Sequence, residues 1–253
     1  MRPHLILIST ILAIAPSTFA VDVLPGDIIT LPGTSTADAN ELVGMRVWEQ
    51  VDMFEIKDRD GVLLCRGRLS LHVVRTVMPA ADMFELRISD TEINLPGEIR
   101  EIRWDGFSNT RTDCNWRHDL DLGDKTVMRA GRSHDGDLVT MGYNWRSHDP
   151  WGETLSLIGG EDSSQLFILT DNVGFLTDSS TVTIELMTGE TWETKAPGPK
   201  VDLLGDLNGD GKIDGADLGL LIADWGTTGP HADLNGDGVV DGGDLGILLA
   251  NWK

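Results

Sequence analysis

Apolar and polar residues alternate strictly in several stretches of the first 195 residues. Residues 84–89 are Phe-Glu-Leu-Arg-Ile-Ser, residues 182–186 are Val-Thr-Ile-Glu-Leu, and Leu69, Leu71 and Val73 follow the same rule. Because successive side chains of a strand point to opposite faces, a period of two predicts strands with one buried and one solvated face.

Turn residues separate these runs into hairpins. Residues 60–61 and 135–136 are Asp-Gly and residues 188–189 are Thr-Gly, pairs that favour tight turns between antiparallel strands. Helical periodicity is weak here, with residues 37–43 as the one candidate. The pattern predicts a mainly β fold, an antiparallel β-sandwich or jelly roll over residues 21–195, and disfavours a mixed α/β fold.

The C-terminal end of the chain has a different period. Apolar residues recur there at helical spacing, and the stripe occurs twice with an offset of 27 residues. Gly226 follows the first stripe, where a helix would end. The sequence predicts two short helices whose stripes pack against each other. These stripes are Leu218, Leu221, Ile222 and Trp225, and Leu245, Leu248, Leu249 and Trp252.

Each predicted helix follows a loop rich in aspartate. Oxygen side chains at positions 1, 3, 5, 9 and 12 of such a loop, with the backbone carbonyl of position 7, surround one hard cation. Gly211 and Gly238 stand at position 6, where the loop must turn sharply. Asx-rich turns without an ion are the alternative, but two complete ligand sets in one register predict two calcium ions. The predicted ligands are Asp206, Asn208, Asp210, Lys212, Asp214 and Asp217 in the first loop and Asp233, Asn235, Asp237, Val239, Asp241 and Asp244 in the second, with Lys212 and Val239 contributing carbonyl oxygens.

Residues 203–253 resemble the dockerin type I module, whose two EF-hand-like loop-helix repeats bind calcium and lack the incoming helix of a full EF-hand. No helical pattern precedes Asp206 here either. The resemblance implies a small α-helical module that docks to a cohesin domain on a scaffolding protein or a cell surface. It also implies an association with secreted polysaccharide-degrading enzymes, on which dockerins usually occur.

The chain departs from the dockerin pattern at the positions that contact cohesin. In the family these are loop positions 10 and 11, often Ser-Thr, whereas here they hold Gly215 and Ala216 in the first copy and Gly242 and Gly243 in the second. The partner implied by the resemblance is a cohesin-like or other surface protein. Glycine and alanine leave little side chain at these positions for such a partner to recognise.

The N-terminus has the residue order of a secretory signal peptide. Arg2 and His4 precede an apolar run over residues 5–16, and residues 18–20 are Thr-Phe-Ala, an ending that suits signal peptidase. Cleavage after Ala20 would place the protein in the extracellular space or at the cell surface, whereas the alternative is a buried N-terminal strand or helix. The run is shorter than the roughly 20 residues of a membrane span, and no later segment is a candidate.

Residues 196–200 are Ala-Pro-Gly-Pro-Lys and have no apolar periodicity, which predicts a short, stiff linker. The predicted organisation is therefore a signal peptide at 1–20, a β-sandwich domain at 21–195, a linker at 196–202 and calcium-binding repeats at 203–253. The function of the sandwich does not follow from this division.

Charge narrows the choice of partners. The chain has a net charge of −21, of which ten aspartates and two lysines in the last 53 residues supply −8. Two bound calcium ions would neutralise half of that −8. Because an acidic surface repels phosphate, nucleic acid is not a predicted partner.

Cys65 and Cys114 are the two cysteines of the chain. In an oxidising compartment they permit one disulfide. The alternative is two free thiols, with Cys65 buried in the apolar segment 62–65 as a small hydrophobic residue.

Three His-Asp dipeptides, at residues 118–119, 134–135 and 148–149, suggest a metal or acid-base site. Adjacent residues of a strand point to opposite faces, however, so a dipeptide can act as a unit only in a turn. Polar hairpin ends are therefore the favoured interpretation.

Tryptophans of the sandwich segment offer a second candidate chemistry, since an exposed indole stacks on sugar rings whereas a buried one belongs to the core. Trp116, Trp145 and Trp151 have polar, loop-like neighbours and are the candidates for sugar binding. Trp48 and Trp104 are predicted in the core.

Catalysis is not favoured. No nucleophile elbow, zincin pattern or phosphate loop occurs, and a glycosidase needs two carboxylates beside the scissile bond. Charges that alternate along strands usually form a solvated face. The glutamates that could be offered are Glu49, Glu55, Glu85, Glu153 and Glu185.

Three hypotheses for function follow. The favoured one is a secreted calcium-binding protein whose C-terminal module docks a glycan-binding or surface-associated sandwich to an extracellular partner. The alternatives are a secreted polysaccharide-degrading glycoside hydrolase or lyase with the same module, and a structural protein of an extracellular assembly. Polysaccharide retention without turnover separates the first from the second.

Overall fold

The structure is a computed structural model that describes residues 21–35, 42–78, 80–108, 110–117, 120, 123, 125–143, 156–200, 203–229 and 231–252. Within these ranges the strands precede the helices along the chain. The strands are β1 Val21–Asp22, β2 Ile28–Thr30, β3 Gly44–Lys57, β4 Leu63–Thr76, β5 Asp82–Ser89, β6 Ile99–Trp104, β7 Thr112–Arg117, β8 Arg129–Arg132, β9 Val139–Gly142, β10 Gln165–Thr170, β11 Phe175–Leu186 and β12 Thr191–Pro199; the helices are α1 Gly215–Ala223 and α2 Gly242–Ala250.

Two antiparallel sheets of six strands make up the N-terminal domain. The strand order is β1-β7-β10-β5-β4-β3 in the first sheet and β12-β11-β6-β9-β8-β2 in the second, within the described residues. Many spatial neighbours are distant in sequence, as in a sandwich whose connections cross between sheets. The predicted fold class, a mainly β sandwich followed by a small helical module, is confirmed.

The core lies between the two sheets. Leu69 and Leu71 of β4 and Ile102 and Trp104 of β6 are fully buried in one apolar cluster, as the alternating pattern predicts. The Trp104 ring meets Phe84 and Phe107 edge to face, with centroids 5.8 and 5.9 Å apart. Trp104 Nε1 also donates a 3.1 Å hydrogen bond to the Pro197 carbonyl, so the prediction that this residue is core is confirmed.

The predicted linker at 196–202 begins too early. Ala196 pairs with Ser180 and Pro199 with Phe175 at the end of β12, and residues 196–199 are buried. β12 is an edge strand of its sheet, where proline is tolerated because one side of the strand needs no partner. The Pro-Gly-Pro sequence therefore belongs to a strand.

The disulfide allowed by the sequence is absent. Cys65 on β4 and Cys114 on β7 are free and buried, and β5 and β10 lie between their strands. Three strand spacings amount to about 14 Å, twice the limit of about 7 Å between the Cα atoms of a disulfide. Burial raises the pKa of the Cys65 thiol to about 11, which leaves it unreactive.

Some sequence predictions lie outside the described residues. These are the signal peptide at 1–20, most of the candidate helix at 37–43, the dipeptides at 118–119 and 148–149, Trp145, Trp151 and Glu153. Of the helices in the described ranges, neither is long and apolar enough to cross a membrane.

Candidate metal centre

The first loop winds around the carboxylate at its position 1. Asp206 Oδ1 accepts hydrogen bonds from the amides of Gly209 at 2.7 Å and Asp210 at 3.1 Å, and Oδ2 accepts one from Gly211 at 2.8 Å. At position 5, Asp210 Oδ1 accepts from the Lys212 amide at 2.9 Å. Side-chain oxygens thus fold positions 1–7 into a compact turn, as Asx side chains do.

The second loop repeats this pattern 27 residues later. Asp233 Oδ1 accepts from Gly236 at 2.9 Å and Asp237 at 3.1 Å, and its Oδ2 accepts from Gly238 at 2.9 Å. Asp237 Oδ1 accepts from the Val239 amide at 3.0 Å. Each distance lies within 0.2 Å of its counterpart in the first loop, so the two loops have the same fold.

Two glycines in each loop adopt left-handed backbone conformations. At position 6, φ is +86° for Gly211 and +93° for Gly238, and at position 4 it is +74° for both Gly209 and Gly236. A Cβ disfavours these angles. The turn predicted at position 6 is present, and the glycine requirement at position 4 goes beyond the motif from which the loops were predicted.

The carboxylate at position 12 closes the first loop. Asp217 is fully buried, and its Oδ1 accepts from the amides of Leu207 at 2.9 Å and Asn208 at 3.2 Å. Its Oδ2 accepts from the Asp214 amide at 2.8 Å, while Asp214 Oδ1 accepts from Ala216 at 2.8 Å. Positions 9 and 12 therefore form the capping box of α1 and tie the start of the loop to the helix.

Asp244 has the same role in the second loop. It is fully buried and accepts from the amides of Leu234 at 2.7 Å, Asn235 at 3.1 Å and Asp241 at 2.8 Å. These hydrogen bonds, that of Asp241 foremost, hold the pKa of Asp244 below its ordinary value. The group at position 12 is therefore a carboxylate anion.

The available donors suit a hard cation. In each loop the side chains at positions 3 and 5 are neighbours, with Asn208 Nδ2 3.0 Å from Asp210 Oδ2 and Asn235 Nδ2 2.9 Å from Asp237 Oδ2. Calcium takes oxygen ligands, so each Asn must present its Oδ1 to an ion. Throughout the described residues, no three Asp, Glu, His or Cys side chains converge closely enough to hold a metal. Ion binding therefore requires the loop carboxylates to move inward.

The core of the C-terminal module includes residues that the helical stripes do not contain. Ile213 and Val240, both at loop position 8, are buried with Leu221, Leu248 and Ala232. Val240 also joins the end of the first repeat, since its amide donates to the Thr227 carbonyl at 2.9 Å. A single apolar residue inside an otherwise polar loop was the available signal for this role.

The predicted packing of the helical stripes is partly wrong. Leu221 and Leu248 are buried and Leu218 and Leu245 partly so, but the rest of each stripe is exposed because Ile213, Val240 and Ala232 fill the core instead. The exposed fractions are 57% for Ile222, 47% for Trp225, 53% for Leu249 and 42% for Trp252.

Comparison with protein-family models assigns these repeats. Residues 204–251 match the dockerin type I domain. Domains of this type bind calcium through EF-hand-like loops, so calcium is the cofactor of this dockerin module. The match does not extend to the sandwich, and neither the curated proteins nor the solved structures gave a match to the chain.

The described tryptophans of the sandwich all pack against its core. Trp116 was predicted in a loop, but it lies on β7 and packs against the core, beside Gly33. Trp48, predicted in the core, is half-buried and meets Phe175 edge to face at 6.3 Å. Trp192 likewise lies 5.8 Å from Phe54.

The dipeptide at residues 134–135 belongs to a hairpin turn between β8 and β9. Asp135 Oδ1 accepts from the Asp137 amide at 3.1 Å, and the following Gly136 has φ of +78°. The hydrogen bond from the Ser133 hydroxyl lowers the pKa of Asp135. The interpretation as a polar turn is confirmed for this dipeptide.

The four described candidate glutamates do not form a catalytic pair. Glu85 on the first sheet is buried, 3.6 Å from Arg117 and 3.8 Å from His72. Glu185 on the second sheet is buried between Arg100 and Arg103, with which it forms ion pairs. Glu49 and Glu55 are exposed on β3. Buried carboxylates on different sheets with cationic partners serve structure, as paired buried charges usually do.

Proposed function

We propose that the two loops of the dockerin module bind one calcium ion each and thereby dock the sandwich to an extracellular partner. The observation that carries this is the cage of amides around Asp206, which recurs around Asp233 with the same distances. A bound ion supplies the positive charge that offsets four carboxylates in each loop. The assigned ligands are the side chains at positions 1, 3, 5, 9 and 12 and the carbonyls of Lys212 and Val239.

Calorimetric titration of the full chain with calcium tests this assignment. We expect two ions per chain, and one ion after either Asp206→Ala or Asp233→Ala. Asp60→Asn is the matched control, because Asp60 is an exposed aspartate in the β3–β4 turn. Unchanged stoichiometry in both loop variants would refute the ligand assignment.

The dockerin match supports a cohesin-like protein as the partner. Loop positions 10 and 11 carry only glycine and alanine, whereas Trp225 and Trp252 are exposed at equivalent places after the two helices. Exposed aromatic side chains are common anchors of protein interfaces. The partner therefore contacts the surface formed by Ile222, Trp225, Leu249 and Trp252.

Surface plasmon resonance on immobilised cohesin domains, with calcium and with chelator, tests docking. Binding should require calcium and weaken by about tenfold or more in a Trp225→Ala, Trp252→Ala double variant, as loss of anchor residues does. Met53→Ala on β3, where Met53 is 66% exposed, is the control for loss of exposed apolar surface. Docking without calcium would contradict the proposal.

For the sandwich we propose a binding role, toward glycans or a surface. Engagement of Glu85 and Glu185 in separate ion-pair networks supports binding over hydrolysis. Incubation of the full chain with plant and algal polysaccharides, followed by assays of retention and reducing-end release, distinguishes the two. Release above a heat-inactivated control would favour the enzyme alternative; calcium-dependent self-association without either result would favour a structural protein.

Export is part of the same proposal. Cleavage after Ala20 would make Val21 the first residue of the mature protein, and Val21 begins β1. The sandwich then runs to Pro199, the last residue of β12, and the dockerin module follows. N-terminal sequencing of protein recovered from culture medium would locate the cleavage site, and an intact residue 1 in that material would rule it out.

A further inference from the structure

A cleft of about 560 Å³ lies where the sandwich meets the first calcium loop. The loop after β6, the β8–β9 turn, β11 and β12 form one wall, and positions 5–7 of the first loop belong to the other. A Cβ placed on Gly211 would lie 3.6 Å from Leu176 Cδ1, so the two walls are close neighbours. The volume is that of a site for a small molecule.

The second calcium loop has no such neighbour. A Cβ placed on Gly236 or Gly238 would meet nothing within 4 Å, although these glycines correspond to Gly209 and Gly211 of the first loop. The pseudo-equivalent loops thus differ in their surroundings. An ion in the first loop would also fix one wall of the cleft.

Unpaired charges of both signs line the cleft. Four aspartates and two lysines face it, and none of the six forms an ion pair with a residue that the structure describes. Charged groups within one cleft usually pair with each other or with a ligand. The six are Asp105, Asp137, Asp178, Asp210, Lys195 and Lys212.

Asp105 is the most firmly positioned of these groups. Its Oδ1 accepts from the Thr181 amide at 2.6 Å, and the next residue, Gly106, has φ of +90° with no room for a Cβ against Ser180. Burial raises the pKa of Asp105, and the nearby Asp137 carboxylate raises it further. A partly buried carboxylate with an anionic neighbour is stabilised by hydrogen-bond donors.

The mixture of charges selects the kind of ligand. A cation would be repelled by Lys195 and Lys212, and an anion by the aspartates, whereas hydroxyl groups donate to carboxylates and accept from ammonium groups. A metal ion is disfavoured because no three acidic side chains converge anywhere in the described ranges. Leu176, Pro199 and Leu203 add apolar surface to the lining, which suits the C–H faces of a sugar ring.

The geometry points to a binding site for a short neutral oligosaccharide in this cleft, held by Asp105 and Lys195 and walled on one side by the first calcium loop. The inference rests on the proposed binding role of the sandwich and on calcium in the first loop. It adds the place of binding, the class of ligand and a dependence on calcium.

Titration calorimetry of the full chain, saturated with calcium, tests the inference with cellotriose, xylotriose and laminaritriose as neutral probes. Trigalacturonate and a glucosamine trimer are the anionic and cationic probes. We expect at least one neutral probe to bind, and its Kd to rise about tenfold or more in Asp105→Asn and in Lys195→Met, because each removes a charge-assisted hydrogen bond. Asp60→Asn and Lys57→Met, exposed residues of β3 and its turn, are the matched controls.

Chelation of calcium should weaken binding of the neutral probe, since the first loop forms a wall. The inference is overturned if no neutral probe binds, if a charged probe binds better, or if Asp105→Asn and Lys195→Met bind like their controls. Calcium titration of the same samples without sugar keeps the tests separate. Normal calcium stoichiometry with no sugar binding would defeat the cleft alone, whereas loss of calcium binding by the unmodified chain would defeat the proposed function.

Discussion

The two parts of the molecule are held together over very different distances in sequence. In the dockerin module, the hydrogen bonds that shape each loop join residues no more than 10 positions apart. In the sandwich, the side chain of Gln50 reaches the Lys195 carbonyl across 145 positions, and Arg100 reaches Glu185 across 85. A short motif can therefore specify the module but not the sandwich.

The two parts also differ in the size of their cores. Within the described residues, five buried apolar residues form the core cluster of the module and 28 form the main cluster of the sandwich. So small a core supplies little stability by itself, and small domains commonly depend on metal ions. The module should therefore depend on calcium for its fold, and the sandwich should not.

The largest expected effect concerns the sandwich core. Trp104→Ala should lower the free energy of unfolding of the sandwich by about 3–5 kcal/mol, because it leaves a cavity where a fully buried indole packed. Chemical denaturation followed by circular dichroism measures this loss, and calcium stoichiometry should stay at the unmodified value. Trp225→Ala, which removes a half-exposed indole, is the control; an equally small loss in both variants would contradict the packing described for Trp104.

Next in size is the carboxylate that closes the first loop. Asp217→Ala leaves the buried amides of Leu207, Asn208 and Asp214 without their acceptor, and should cost the module about 1–3 kcal/mol. The calcium affinity of the first loop should fall with it, as measured by calorimetry, while the thermal transition of the sandwich stays in place. Asp217→Asn, which keeps one oxygen, should lose less; equal affinity in all three proteins would exclude a role in closing the loop.

A smaller effect separates two glycines of the same repeat. Gly211→Ala places a Cβ on a left-handed residue and should destabilise the module by about 1–2 kcal/mol. Gly219→Ala, in the interior of α1 with open space around it, should stabilise it by about 0.5–1 kcal/mol. Thermal melts of both variants in saturating calcium measure the difference, and shifts of the same sign would show that backbone conformation does not decide the outcome.

The smallest expected effect is a pH dependence confined to the sandwich. Burial lowers the pKa of His72 from its ordinary value of 6.5, and the Arg46 guanidinium lowers it further, while Glu49 opposes the change; Glu85 also faces the ring at 3.8 Å. The folded state therefore binds fewer protons than the unfolded state, so this contribution to stability is complete above pH 6.5 and is lost as pH falls through the lowered pKa.

Replacing His72 should flatten that dependence. Urea midpoints of the sandwich, measured from neutral to acidic pH, should fall less steeply in His72→Gln than in the unmodified chain. His134→Gln, which changes an exposed histidine, should leave the slope as it was. The same slope in all three proteins would assign the pH dependence to other groups.

Local patterns predicted the calcium loops and the strands for clear physical reasons. A loop that wraps one ion fixes the residue type at almost every position, so Asp206 and its repeat Asp233 announce the whole site. Strands with one buried face carry their period in the sequence, as Leu69, Leu71 and Val73 do. The buried role of Ile213 and Val240 did not follow from the ligand pattern, because position 8 supplies no ligand.

Features set by contacts distant in sequence were not predictable. Proline and glycine at residues 197–199 suggested a linker, and only the place of β12 at the edge of a sheet explains why a strand accepts them. Cys65 and Cys114 suited a disulfide by compartment, but the strand order separates them. The cleft combines Asp105, Lys195 and Lys212 from three distant segments, and no local pattern marks such a set.

Differential scanning calorimetry of the full chain in calcium and in chelator is the most direct test of the contrast between the two parts. Calcium should raise one transition, that of the dockerin module, and leave the larger transition of the sandwich nearly unmoved, since a ligand stabilises only the unit that binds it. Equal shifts of both transitions, or no shift of either, would contradict a calcium-dependent module attached to an independently stable sandwich.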